Sequence, residues 1–144
     1  PRKSETYVTS AERRMPEELG ISCRLDYLFK FEYHVPYKDV GSENEICGTM
    51  IGIIDDSTKL SLIKDEIDEI KWISAHELLS ELKNNPKIYC PWMLIALELL
   101  DKSEKTMIEK YQFVLSSWID SNLQKELQEA IRTHLPDNKW RLVK

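Results

Sequence analysis

Along residues 25–35 apolar and polar side chains alternate. Leu25, Tyr27, Phe29, Phe31, Tyr33 and Val35 fall on one face, while Asp26, Lys30, Glu32 and His34 dominate the other. A period of two predicts a strand, here rich in aromatic side chains. Residues 36–42, which include Pro36, Asp39, Gly41 and Ser42, read as a loop. Residues 43–54 read as a second strand, apolar on both faces after Ile46, which predicts a central place in a sheet. A third strand is expected at 70–73, after a turn at Asp55, Asp56 and Ser57. Residues 6–19 read as a helix stopped by Gly20, with Pro16 expected to kink or break it. Ser74 and Glu77 form a capping box that opens a helix through Leu82, and Pro91 starts another that runs to Leu100.

The pattern changes after residue 102. Met107, Tyr111, Leu115 and Trp118, then Leu123, Leu127, Ile131 and Leu135, recur at helical spacing. This predicts a two-helix extension over residues 103–144, docked on a domain of residues 1–102. No internal repeat or low-complexity segment interrupts the chain.

Composition narrows the function classes. With 144 residues, 42% of them apolar and 31% charged, the chain can bury the core of one ordinary domain. A net charge of −5 argues against a broad nucleic-acid surface, which needs a basic face. An anionic substrate would then require local Arg or Lys, or a bridging metal ion. No apolar run is long enough to span a bilayer, so no membrane partner is expected. Cys23, Cys47 and Cys90 are odd in number and widely spaced, as in a reducing cytoplasm without a disulfide framework or structural zinc. A start at Pro1 is compatible with loss of an initiator Met and with a fragment.

Four features carry candidate chemistry. Arg14 and Glu18 stand one helical turn apart, a fixed cation suited to phosphate beside a hard oxygen ligand suited to magnesium. The same spacing also makes an ordinary exposed ion pair. Glu43 and Glu45, two apart on a strand, project from one face, where a shared cation or proton would relieve their repulsion. Such a pair can carry proton transfer, or be a solvated strand end. Tyr33 offers a phenol as donor, or a core ring with a wet tip. Trp92 places an indole in the first turn of a helix, for packing or for stabilising a cation. His34, His76 and His134 lack ligand spacing, with His76 expected on a helix surface. Cys47 shares strand parity with Glu45 and reads as a buried free thiol.

Larger patterns join these residues. Glu5, Arg13, Met15, Glu17, Glu18, Gly20 and Ile21 match the spacing of a Nudix box, with Arg14 where a Nudix hydrolase carries Glu. Phe31-Glu32-Tyr33 is followed by Glu43-Asn44-Glu45-Ile46-Cys47, then by Asp68-Glu69-Ile70-Lys71-Trp72-Ile73 and by Cys90-Pro91-Trp92-Met93. In this order, over about residues 1–101, the set resembles a type I isopentenyl-diphosphate isomerase of the Nudix superfamily.

The resemblance implies an α/β (α+β) fold, a Nudix-like mixed sheet sandwiched between helices, with the two-helix extension at its C-terminus. It implies a cytoplasmic enzyme that interconverts isopentenyl and dimethylallyl diphosphate by adding and removing protons. Glu45 would be a metal ligand and half of the proton-transfer pair, Glu43 a second ligand, and Tyr33 an aid to protonation next to Glu45. Trp92 would face the carbocation. Glu18 would hold Mg²⁺ on the diphosphate, beside Arg14 on the phosphate oxygens. A second divalent metal, Mn²⁺ or Zn²⁺, is implied too, with a small-molecule diphosphate as partner and a homo-oligomer left open. The family's catalytic cysteine and three metal-binding histidines would precede Pro1. Two other readings stay open: a Nudix hydrolase of a nucleoside diphosphate derivative, pointed to by Glu17 and Glu18, and a non-enzymatic interaction module.

Overall fold

The computed structural model describes residues 2–37, 41–54, 71–85, 89–119 and 121–143, without the side chains of 35–37, 41–43 and 121. The chain divides into two compact units, residues 1–27 with 50–72, and residues 28–49 with 73–144.

The first unit holds helix α1 (Tyr7–Leu19), and its ends follow from local chemistry. Thr6 caps it: its hydroxyl accepts from the Thr9 N–H at 3.1 Å, and the Thr9 hydroxyl accepts from the Thr6 N–H at 2.9 Å. Gly20 ends it at φ 72°, and its N–H donates to the Pro16 carbonyl at 3.1 Å. The break expected at Pro16 is absent. The helix runs on to Leu19, at the cost of the one ladder bond that proline cannot donate. Gly52 has its own reason for being glycine. A Cβ there would stand 2.5 Å from Leu25 Cδ2 and 2.8 Å from Cys23 Sγ.

Strand β1 (Asp26–Tyr37) is flanked by β2 (Gly41–Ile51) and by a C-terminal strand, β3 (Lys139–Val143). The alternation read from the sequence holds: Phe29, Phe31 and Tyr33 are buried in line, with successive ring centroids 6.3 and 6.2 Å apart. Leu28 is buried as well, so both faces of the strand are covered at that point. β3 runs antiparallel to β1, with Phe31 opposite Leu142, Tyr33 opposite Trp140 and His34 opposite Lys139.

Several expectations need correction. Among the described residues β1, not β2, is the central strand; Ile46 is half exposed, so the apolar run of β2 is not sandwiched. Of the loop expected at 36–42, Pro36 and Tyr37 belong to β1 and Gly41 and Ser42 to β2, while 38–40 lie outside the described residues, as does the turn at 55–57. Of the strand expected at 70–73, residue 70 lies outside them and Lys71, Trp72 and Ile73 have no regular secondary structure. The C-terminal stretch is more than two helices. After a 3₁₀ turn at Leu100–Lys102, its first half is broken into α4 (Lys105–Lys110) and α5 (Gln112–Leu115), and it ends as β3.

The helical core of the second unit is built by α6 (Ser121–His134), which packs on α2 (Ala75–Asn84) and α3 (Pro91–Glu98). Leu123, Leu127, Ile131 and Leu135 meet this core from one face, and Leu78, Leu79, Leu82, Leu94 and Ile95 are buried with them. The core therefore joins residues from both sides of position 102. α2 starts at the Ser74 cap, whose hydroxyl accepts from the Glu77 N–H at 3.2 Å, the serine half of the expected capping box, and His76 is exposed on it. None of the three cysteines forms a disulfide, Cys47 is partly exposed rather than buried, and no described helix is long and apolar enough to cross a membrane.

Candidate active site

In the first unit, the two arginines of α1 are each paired with carboxylates. Arg13 lays its guanidinium along Glu5, Nε to Oε1 at 2.7 Å and Nη2 to Oε2 at 3.3 Å, and also faces Glu17 at 3.7 Å. Hydrogen bonding from Arg13, then from the Arg2 backbone N–H, holds the Glu5 carboxyl down at about 2. The Arg13 guanidinium is pushed up in return, chiefly by its bond to Glu5. Arg14 reaches one turn along the helix and bonds Glu18 through Nε and Nη2. The two residues expected to grip a diphosphate and its metal thus grip each other here.

In the second unit, the structure joins Tyr33 to Glu45. The phenol donates to Glu45 Oε2 at 3.2 Å across the β1–β2 pair. Their surroundings differ sharply: Tyr33 is 2% exposed, whereas Glu45 lies at the surface. The pair joins a buried ring that cannot wander to a carboxylate open to solvent or ligand. One residue along, His34 Nδ1 and Asn44 Oδ1 lie 2.6 Å apart across the same two strands. Glu43 is on β2, but its side chain is outside those described. Trp92 is the second residue of α3, with its indole half exposed.

These carboxylate oxygens are hard donors of the kind Mg²⁺ prefers. Among the described residues, however, no group of three or more His, Cys, Asp or Glu stands together as a metal site. The described residues alone therefore do not make up a complete divalent-metal site.

Sequence reasoning missed a cluster beside the sheet. Glu98, 3% exposed at the end of α3, accepts from Trp140 Nε1 at 2.9 Å and from Arg132 Nη2 at 2.5 Å. Gln128 Nε2 donates to the Glu98 carbonyl at 3.0 Å. A signal was available: Glu98 is the one charged residue of the α3 segment Pro91–Glu98, and a buried carboxylate demands partners.

The family model of the NUDIX domain matches residues 1–93. The chain belongs to the Nudix family. The residues whose spacing matches a Nudix box form the capped helix α1, the Glu5–Arg13 bridge and the left-handed turn at Gly20. The chain is similar to the isopentenyl-diphosphate Delta-isomerase of Ruegeria pomeroyi, 36% identical over 101 residues, covering 67% of this chain and 54% of that protein. It is 31% identical over 98 residues to isopentenyl-diphosphate Delta-isomerase 2 of Aromatoleum aromaticum, covering 68% and 51%. With the isopentenyl-diphosphate Delta-isomerase of Haloarcula marismortui it shares 30% over 106 residues, covering 67% and 54%. The chain spans about half the length of the curated relatives it matches. No solved structure matches. Glu98, Arg132 and Trp140 lie beyond the Nudix match.

Proposed function

We propose that this Nudix chain carries the carboxylate half of the proton-transfer pair of an isopentenyl-diphosphate isomerase, Glu45, with Tyr33 assisting it through a hydrogen bond. The observation that carries the reading is the 3.2 Å bond from the buried phenol to the exposed carboxylate. It is supported by relatives named as isopentenyl-diphosphate isomerases.

The reaction moves a double bond by one carbon and changes no oxidation state overall. The alkene's π pair takes a proton at the terminal carbon and leaves a tertiary cation. The cation then loses a proton from the neighbouring carbon, and that C–H pair becomes the new double bond. A carboxyl group at Glu45 suits one of these transfers, and the Tyr33 hydroxyl stabilises the carboxylate form by donating to it. The substrate's hydrocarbon part would cover Glu45 on binding, and Trp92 would offer its π face to the cation. Arg14 is assigned to the phosphate oxygens, which requires it to exchange Glu18 for them. Divalent ions belong to the same proposal. Glu18 would draw Mg²⁺, and Glu43 with Glu45 a second ion, each completed by donors outside the described residues, where the ion would neutralise diphosphate charge.

The test is turnover of isopentenyl diphosphate in D₂O, using the chain with whatever sequence its gene encodes around it. Product carrying deuterium, lost in Glu45→Gln, is the expected result. Full activity in Glu45→Gln would remove the assignment.

A further inference from the structure

The C-terminal strand reaches the candidate site from a part of the chain that the Nudix match does not include. Trp140 stands directly opposite Tyr33 in the antiparallel register of β1 and β3. Directly opposed residues share a face, with Cβ atoms roughly 4.5–5.5 Å apart. Tyr33 therefore has Glu45 on its β2 side and the Trp140 indole on its β3 side. Trp140 is itself held. Its Nε1–H donates to Glu98 Oε2 at 2.9 Å, and Glu98 is buried and fixed by Arg132 and Gln128 of α6. A chain of hydrogen bonds thus runs from α6 through Glu98 to the Trp140 indole, which stands opposite Tyr33 on the same face of the sheet.

We propose that Trp140 and Glu98 are positioning residues for the Tyr33–Glu45 pair, so that the C-terminal strand and α6 belong to the active site's frame. The inference rests on the acid–base reading of that pair for its kinetic consequence, but not for its structural one. A phenol whose ring can shift loses aim at its partner, and small misplacements of catalytic groups cost rate rather than affinity.

The structural test uses the full chain carrying ¹³C at tyrosine Cζ, with the Tyr33 signal identified by its loss in Tyr33→Phe. Glu45→Gln moves that signal, because the phenol's acceptor has changed. In a Trp140→Phe background the movement is expected to shrink by about half or more, the non-additivity of coupled neighbours. In a Glu98→Gln background, whose amide oxygen still accepts from the indole, it is expected to be kept. Equal movement in the Trp140→Phe and native backgrounds overturns the proposal. The kinetic test expects Trp140→Phe to lower kcat about tenfold with KM within about twofold, and Glu98→Gln to retain most of the rate. An unchanged kcat in Trp140→Phe overturns it too. Failure of the isomerase reading is recognised separately, by full turnover in Glu45→Gln or none in the native protein, and the NMR comparison then decides the positioning alone.

Discussion

Arg13 and Glu5 meet in a two-pronged bridge across eight residues, joining the body of α1 to the segment that leads into it. The guanidinium keeps the Glu5 carboxyl ionised down to about pH 2, well below its ordinary 4.5. The sign of the pH dependence follows. Between those values the unfolded chain takes up a proton that the folded chain refuses, so acid favours unfolding. The bridge stabilises fully above about pH 4.5 and its contribution is gone once pH falls through about 2. Melting temperatures of native protein and Glu5→Gln should therefore differ by a constant amount above pH 4.5 and converge below it. A difference that persists undiminished to pH 2 would contradict the bridge.

The Tyr33–Glu45 bond makes separate demands on rate and stability. Glu45→Gln keeps the shape but cannot accept or deliver the proton, and isomerisation should fall by about 10²–10⁴-fold. Tyr33→Phe should fall less, because the carboxylate survives. Glu45→Gln should be stability-neutral, being at the surface, while Tyr33→Phe should lose about 0.5–1.5 kcal/mol in urea unfolding. Rates from rapid-quench product analysis, set beside those unfolding curves, separate the two effects. Tyr33→Phe losing more activity than Glu45→Gln would reverse the roles given to them.

What could be read in advance divides by sequence distance. The Gly20 stop and the Ser74 cap were legible as helix ends because a left-handed glycine and a side chain bonding a backbone group act at fixed short offsets, whereas the Thr6–Thr9 cap was not read. β1 was legible because its aromatics alternate over many residues. β3 was not: Lys139 to Val143 is short, partly exposed and paired with residues more than a hundred positions earlier. Glu43 and Glu45 invited a metal reading, and the Tyr33–Glu45 bond was foreseen only as proximity by resemblance. Glu98 went unread because its partners, Arg132 and Trp140, sit 34 and 42 residues away, where no local pattern points.

Ile131 should show that the C-terminal helix is integral to its unit. It is fully buried where α6 faces α2 and α3. Ile131→Ala should cost about 2–5 kcal/mol through lost contacts and the cavity left behind. Phe113→Ala, at a side chain 71% exposed, should stay within about 0.5 kcal/mol. Paired chemical denaturation curves decide this. Comparable losses at the two positions would mean that α6 is not packed as described.

Gly20 tests the stop of α1. At φ 72° an added methyl group crowds the following carbonyl, so Gly20→Ala should cost about 1–2 kcal/mol. Gly20→Asn should recover part of that, since asparagine tolerates the left-handed region better. Thermal unfolding of the three proteins gives the order Gly, Asn, Ala. Alanine equalling glycine would mean that the helix ends differently from the turn seen here.

Arg14 separates a structural role from a ligand-binding one. Its bond to Glu18 lies on the helix surface, with the two side chains 46% and 34% exposed. Exposed pairs of this spacing contribute about 0.3–0.5 kcal/mol, so Arg14→Ala should hardly alter the unfolding curve. A guanidinium that turns to phosphate oxygens has a larger effect on substrate, because each charge-assisted bond to an anion is stronger than the solvated ion pair it replaces. The expected result is a KM for isopentenyl diphosphate raised about tenfold or more, with stability held. Inorganic pyrophosphate, which lacks the hydrocarbon, should lose affinity in parallel when measured by calorimetry. If KM and pyrophosphate affinity both stay native, the Arg14–Glu18 pair is only the surface contact its geometry displays, and the diphosphate is gripped elsewhere.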